Sequence, residues 1–128
     1  MFDWHDFFTL AEELATRRDV ASLRSAISRA YYSVFNAAFA RAESTVGPKP
    51  RDISSHQWCW NQYRSTPDIT RQCQQLGLNG DRMKRRRVKA DYKASDIPRL
   101  EEEVQLMLDE VRQFSLSLGT LNHRYPHP

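Results

Sequence analysis

Apolar residues recur at steps of three and four along most of this chain, and nowhere do they alternate with polar ones in the way that marks a strand. Trp4, Phe7, Phe8, Ala11, Leu14 and Ala15 predict a first helix. Asp3 suits its N-cap and Asp6 its first turn, while Arg17 and Arg18 suit the far end, where the helix dipole favours positive charge. A longer second helix is expected from about Ala21 to Ser44, opened near Asp19 or Ser22 and ended by Gly47-Pro48-Lys49-Pro50. It carries two apolar stripes, one of Leu23, Ile27, Ala30, Val34 and Ala38, the other of Tyr32, Phe35 and Phe39. Two such faces predict a central helix, packed on its own bundle on one side and on a partner on the other.

The middle of the chain is less regular. Ser54 or Ser55 caps a short helix through Trp58, Trp60 and Tyr63, which stops before Thr66-Pro67. Residues 68–80 are polar and read as a turn or two of helix with loops, and a further helix carries Asp81 to Tyr92. Ser95 and Asp96, with Pro98 just inside, start the last helix, whose stripe is Leu100, Val104, Met107, Leu108, Val111, Phe114 and Leu118. Gly119 is placed to be its C′ residue, followed by a flexible tail. The pattern predicts an all-α helical bundle with an irregular middle, one domain over residues 1–119 and a tail over 120–128.

Within the second helix, Ser28-Arg29-Ala30-Tyr31-Tyr32-Ser33-Val34-Phe35-Asn36-Ala37-Ala38 sets polar groups into an apolar background. Arg29 and Asn36 are seven residues apart, which returns them to one helix face about 10 Å apart along the axis. Ser33 lies between them, so the three form one polar stripe. A guanidinium in such a setting needs a carboxylate, a wet groove or an anion.

Charge adds contrast rather than a strong bias. The formal net charge of this 128-residue chain is only +3. Arg82, Lys84, Arg85, Arg86, Arg87 and Lys89 crowd one segment, whereas Glu101, Glu102, Glu103, Asp109 and Glu110 gather further on. Cys59 and Cys73 are isolated, without metal-ligand spacing, and neither a zinc site nor a required disulfide is expected. His123 and His127, close in the tail, have no preformed metal geometry. No cofactor is implied, no apolar run approaches the ~20 residues of a membrane span, and the start Met1-Phe2-Asp3-Trp4-His5-Asp6 is acidic where a secretory signal needs base. The expectation is a soluble, cytoplasmic protein.

Two stretches resemble the HEPN family (higher eukaryotes and prokaryotes nucleotide-binding). The first is the Ser28 to Ala38 helix, similar to the family's SRAYYAxFHAA segment. The second is Arg87-Val88-Lys89-Ala90-Asp91-Tyr92, which resembles the R-x-x-A-D-Y stretch before the final helix. The resemblance implies an up-and-down helical bundle that pairs as a homodimer. Many members are toxins held by a nucleotidyltransferase antitoxin, and others cut RNA in antiviral defence. In active members an arginine and a histidine of the first motif meet their symmetry mates across a dimer cleft, where the arginine binds the scissile phosphate and the histidine moves protons without metal. Here the arginine position is Arg29, and the histidine position is Asn36. A carboxamide cannot exchange a proton usefully near neutral pH, although it can hydrogen-bond a phosphate or a 2′-hydroxyl. The resemblance therefore implies an RNA- or nucleotide-binding protein with weak or lost ribonuclease activity.

Each residue retains an alternative reading. Arg29 contacts phosphate, or else forms an interfacial ion pair. Arg82, Arg85, Arg86 and Lys89 share one side of a helix and bind RNA backbone, or else form a solvated face answering the acids at Glu101 to Glu103. Asp91 and Tyr92 lock the final helix. His56 is a candidate to replace the missing histidine, giving an active metal-independent ribonuclease. Trp58, Trp60 and Tyr63 stack bases or, as the bland reading, fill the core. A protein-interaction module that holds a nucleotidyltransferase-type partner is the remaining alternative.

Overall fold

A computed structural model describes residues 1–65 and 70–124, the last three for their backbone only. The described residues form five helices and no strand: α1 (His5–Ala15), α2 (Val20–Val46), α3 (Ser55–Ser65), α4 (Arg71–Tyr92) and α5 (Leu100–Arg124). The all-α bundle expected from periodicity is the fold observed.

Helix starts follow local chemistry. The Asp3 carboxylate accepts from the His5 N–H at 2.9 Å, and Asp19 caps α2 by accepting from Ser22 N–H at 3.0 Å. Hydrogen bonding from Ser22, through its side chain first and then its backbone N–H, holds the exposed Asp19 carboxyl below the usual range. Gly47, at φ 99°, takes the left-handed turn that ends α2, with its N–H on Glu43 O.

α2 touches every other helix. Its first stripe (Leu23, Ile27, Ala30, Val34, Ala38) is buried, as is the stripe of α5 from Val104 onward, extended by Leu121. The second stripe is covered largely by α3: His56 stacks on Phe35 at 4.2 Å between ring centroids, and Trp58 lies edge-on to Phe39 at 5.5 Å. The face that predicted a partner for α2 is thus occupied from within the chain. The edge left open is narrower and runs through Ser25, Arg29, Tyr32, Asn36 and Ala40.

Three expectations about the elements are corrected. Residues 71–80 are not turn and loop but the first half of one continuous α4, capped by Thr70, which accepts from Cys73 N–H. Its two glycines, Gly77 and Gly80, are buried where α4 crosses α3, so they serve close packing rather than a turn. The last helix starts at Leu100, beyond Pro98, because Arg99 adopts φ 54° and Ile97 turns into the core just before it. Gly119 does not end α5, which continues to Arg124 because Leu121 extends the buried stripe by one more step. The expected helix stop at Thr66-Pro67 and the histidines His123 and His127 lie outside the described side chains.

One arginine fastens the α4–α5 connection. Arg24 of α2 donates to Lys93 O at 2.6 Å and Ser95 O at 2.8 Å, with a longer contact to Ala90 O at 3.5 Å. A cation on the last carbonyls of α4 also meets the negative end of its dipole.

Candidate functional site

The two sequence stretches that carry the resemblance meet in space. Ser28 Oγ of α2 donates to Asp91 Oδ2 at 3.3 Å, and Arg87 Nη1 donates to the same oxygen at 3.3 Å. Arg87 is buried, with its guanidinium carbon 5.7 Å from the Tyr31 ring, 5.4 Å from Tyr32 and 6.0 Å from Tyr92. Its Nε is buried without an acceptor among the described residues. Asp91 therefore ties α4 to α2 rather than locking the final helix, and Tyr92 lies against Arg87 with its ring largely exposed.

Beside this junction a short polar chain runs from the core to the half-buried His56 through aromatic packing. The Trp60 indole N–H donates to Tyr31 Oη at 3.1 Å, and Tyr31 Oη lies 2.7 Å from His56 Nδ1. The indole can only donate, so the phenol proton is left for Nδ1, and the imidazole carries its own hydrogen on Nε2. Burial pushes the Tyr31 phenol pKa up and keeps it protonated. Burial, with the positive charges of Arg87 and Lys84, lowers His56 from 6.5 to about 4. At neutral pH it is an uncharged imidazole.

That shift has a stability consequence with a definite sign. A histidine that binds its proton less readily when folded favours the native state above its unfolded pKa, and this advantage is lost as pH falls from 6.5 toward 4. Melting temperature should fall between pH 6.5 and 5, before most carboxylates titrate, and should fall less in His56→Phe, which keeps the stack on Phe35. Equal slopes for the two proteins would mean that His56 is not held neutral by the fold.

The Arg29–Ser33–Asn36 stripe shares a helix but not a single pocket. The Arg29 guanidinium carbon lies 4.8 Å from the Phe7 ring and 5.2 Å from the Tyr32 ring, with no carboxylate partner among the described residues. Ser33 is buried and donates back to Ala30 O at 2.6 Å. Asn36 Nδ2 donates to Tyr32 O at 2.9 Å, leaving its amide oxygen at the open edge. No hydrogen bond joins Arg29 to His56; Tyr32 is their common neighbour, its ring 5.9 Å from His56.

The basic run divides. Arg82 Nε lies 3.3 Å from Glu110, and Arg86 lies 3.0 Å from Glu110 and 3.6 Å from Glu103, so both face α5. Arg85 reaches Asp81 only at 3.9 Å, and Lys89 is exposed. Ion pairing with α5, the bland alternative, describes Arg82 and Arg86, while Arg85 and Lys89 keep charge available to a partner.

Trp58, Trp60 and Tyr63 are core residues, so none offers a free ring face for stacking. Cys59 and Cys73 are free, buried thiols whose pKa burial raises. No group of acidic, histidine or cysteine side chains among the described residues is arranged to hold a metal ion, and no described helix is long and apolar enough to cross a membrane. Spacing along the chain does not single out Lys84 or Arg87 as site residues, although the R-x-x-A-D-Y stretch contains the second of them. Only the packing of α3 beside α4 brings their positive charges close enough to act on His56. Comparison with protein-family models, curated proteins and solved structures gives no match, and the resemblance to HEPN domains rests on the two stretches that meet here.

Proposed function

We propose that this chain is a HEPN-like protein that binds RNA or nucleotides as a homodimer, with ribonuclease activity weak or lost. The setting implied by the resemblance, a toxin–antitoxin or phage-defence pair with a nucleotidyltransferase partner, belongs to the same proposal. What supports it most is the meeting of the two resembling stretches through Ser28, Asp91 and Arg87, next to an Arg29 without a carboxylate. A half-buried guanidinium resting on two rings is a ready phosphate contact. Asn36, seven residues on, organises the same edge but brings no exchangeable proton near neutral pH.

RNA affinity measured against salt tests this reading. Binding is expected to weaken steeply as salt rises. Arg29→Ala, or Arg85→Ala with Lys89→Ala, should reduce the slope by about one for each phosphate that is no longer neutralised. Arg82→Gln should matter less, because Arg82 already faces Glu110. Unchanged affinity after Arg29→Ala and after neutralising Arg85 and Lys89 would overturn the proposal. Tight, weakly salt-sensitive capture of a nucleotidyltransferase with no RNA affinity would establish the interaction-module alternative instead. The ribonuclease alternative built on His56 asks an uncharged imidazole, hydrogen-bonded to Tyr31, to move protons; it is the weaker reading.

A further inference from the structure

Aromatic rings and guanidiniums touch in one continuous series from the residues before α1, through α1 and α2, to α4, with Arg87 buried beneath the strip they form. At one end Phe2, Trp4 and Phe7 pack as a trio, with centroids 5.0, 5.2 and 5.6 Å apart. Arg29 bridges Phe7 and Tyr32, Arg87 follows at 5.4 Å from Tyr32, and Tyr92 closes the strip at 6.0 Å from Arg87. Both ends are open: Phe2 is 51% exposed, Trp4 38% and Tyr92 74%. The middle is cationic and underbalanced. Arg29 has no carboxylate among the described residues, Arg87 shares one oxygen of Asp91 with Ser28, and its buried Nε has no acceptor. Two guanidiniums on one ring repel each other, a cost that an anion seated beside Arg29 offsets.

Open rings at both ends with positive charge between them match a ligand whose flat faces are separated by phosphates. A single strand has such free base faces, whereas a duplex keeps them stacked inside. We propose that the strip is a track for single-stranded RNA. Trp4 with Phe2 and Tyr92 stack bases at its two ends, and Arg29 contacts a phosphate between them. Arg87, buried against Tyr32, adds to the positive field. The inference rests on the RNA-binding reading above and adds the form of RNA and the residues that select it. The strip accommodates on the order of four nucleotides, at the short end for a small single-strand binder.

Trp4 reports on its own track, because Trp58 and Trp60 are buried. The full chain is titrated with a labelled single strand of about twelve nucleotides and with a blunt duplex of the same sequence, reading both anisotropy and tryptophan emission. The single strand is expected to bind more tightly than the duplex and to quench Trp4. Trp4→Ala and Tyr92→Ala should each weaken it about five- to a hundredfold, as loss of one stacked base does, and Tyr92→Phe should bind like wild type. Both alanine sites are on the surface, and a thermal melt of each variant checks that it folds. Single-strand affinity unchanged in both alanine variants, or a duplex bound equally well, overturns the track and leaves RNA binding standing. A wild type that binds neither probe overturns both. Self-association that quenches Trp4 and blocks single-strand binding would assign the strip to a second copy and overturn the track.

Discussion

Gly80→Ala is expected to destabilise the protein by about 2 kcal/mol, lowering its melting temperature by about 5–10 °C. In an ordinary helix interior the same change stabilises by up to ~1 kcal/mol, so the sign itself is the test. A Cβ at Gly80 would fall well inside van der Waals contact with three atoms of the Trp60 ring. That ring has nowhere to go. It is fully buried, its N–H is bonded to Tyr31, and it lies 6.0 Å from the Tyr63 ring and 5.7 Å from the Phe114 ring. Gly77, one turn earlier, makes the same kind of seat, where a Cβ would meet Arg64 and Trp60 O. Gly119→Ala supplies the contrast: it lies within α5 with nothing near its would-be Cβ, and the substitution should raise stability by roughly 0.5–1 kcal/mol. A Gly80→Ala protein that melts with wild type would mean that α3 does not sit on α4 as described.

Asn36→His is expected to raise RNA cleavage in the presence of a chelator by roughly 10²–10⁴-fold over wild type, the range general acid–base catalysis supplies. Asn36 stands at the open edge of α2, on the same face as Arg29, and its only described side-chain bond is to Tyr32 O on its own helix. An imidazole there would be partly hydrated and free to titrate near neutrality, unlike His56, which burial and two cations hold at about 4. Adding Arg29→Ala to Asn36→His should abolish the gained activity. Cleavage by wild type that disappears in Arg29→Ala would identify a true ribonuclease with another proton carrier. Silence from both wild type and Asn36→His would mean that no scissile phosphate sits between positions 29 and 36, and would favour the binding or partner-scaffold readings.

Periodicity was a reliable guide where a helix has one wet face and one dry face. α1, α2 and the stripe of α5 could be read directly, because burial of one face imposes the spacing on the sequence. The start of α4 was hidden for a physical reason. Gly77 and Gly80 weaken a helix on its own, and what offsets that cost is the indole of Trp60, which comes from a different helix. The two ends of α5 were misplaced for related reasons. Arg99 breaks the helical backbone one residue before Leu100, and Leu121 keeps the helix going past a glycine because it has core to fill. At the candidate site, Arg29 and Asn36 could be named from spacing and resemblance, but not what surrounds them. Arg82 and Arg86 looked equivalent to Arg85 and Lys89 until the acids of α5 claimed them.

By itself the sequence determined the helical class, the identity of the central helix, the cap at Asp19, and which two stretches carry a family likeness. These follow from interactions between residues near one another in the chain, which leave a periodic trace. Only the tertiary structure decided that the two stretches touch through Asp91, that α3 covers the second face of α2, and that His56 is held neutral by burial, with Arg87 and Lys84 adding to it. Each of those depends on which helix packs against which, and contacts between distant segments leave no period to read.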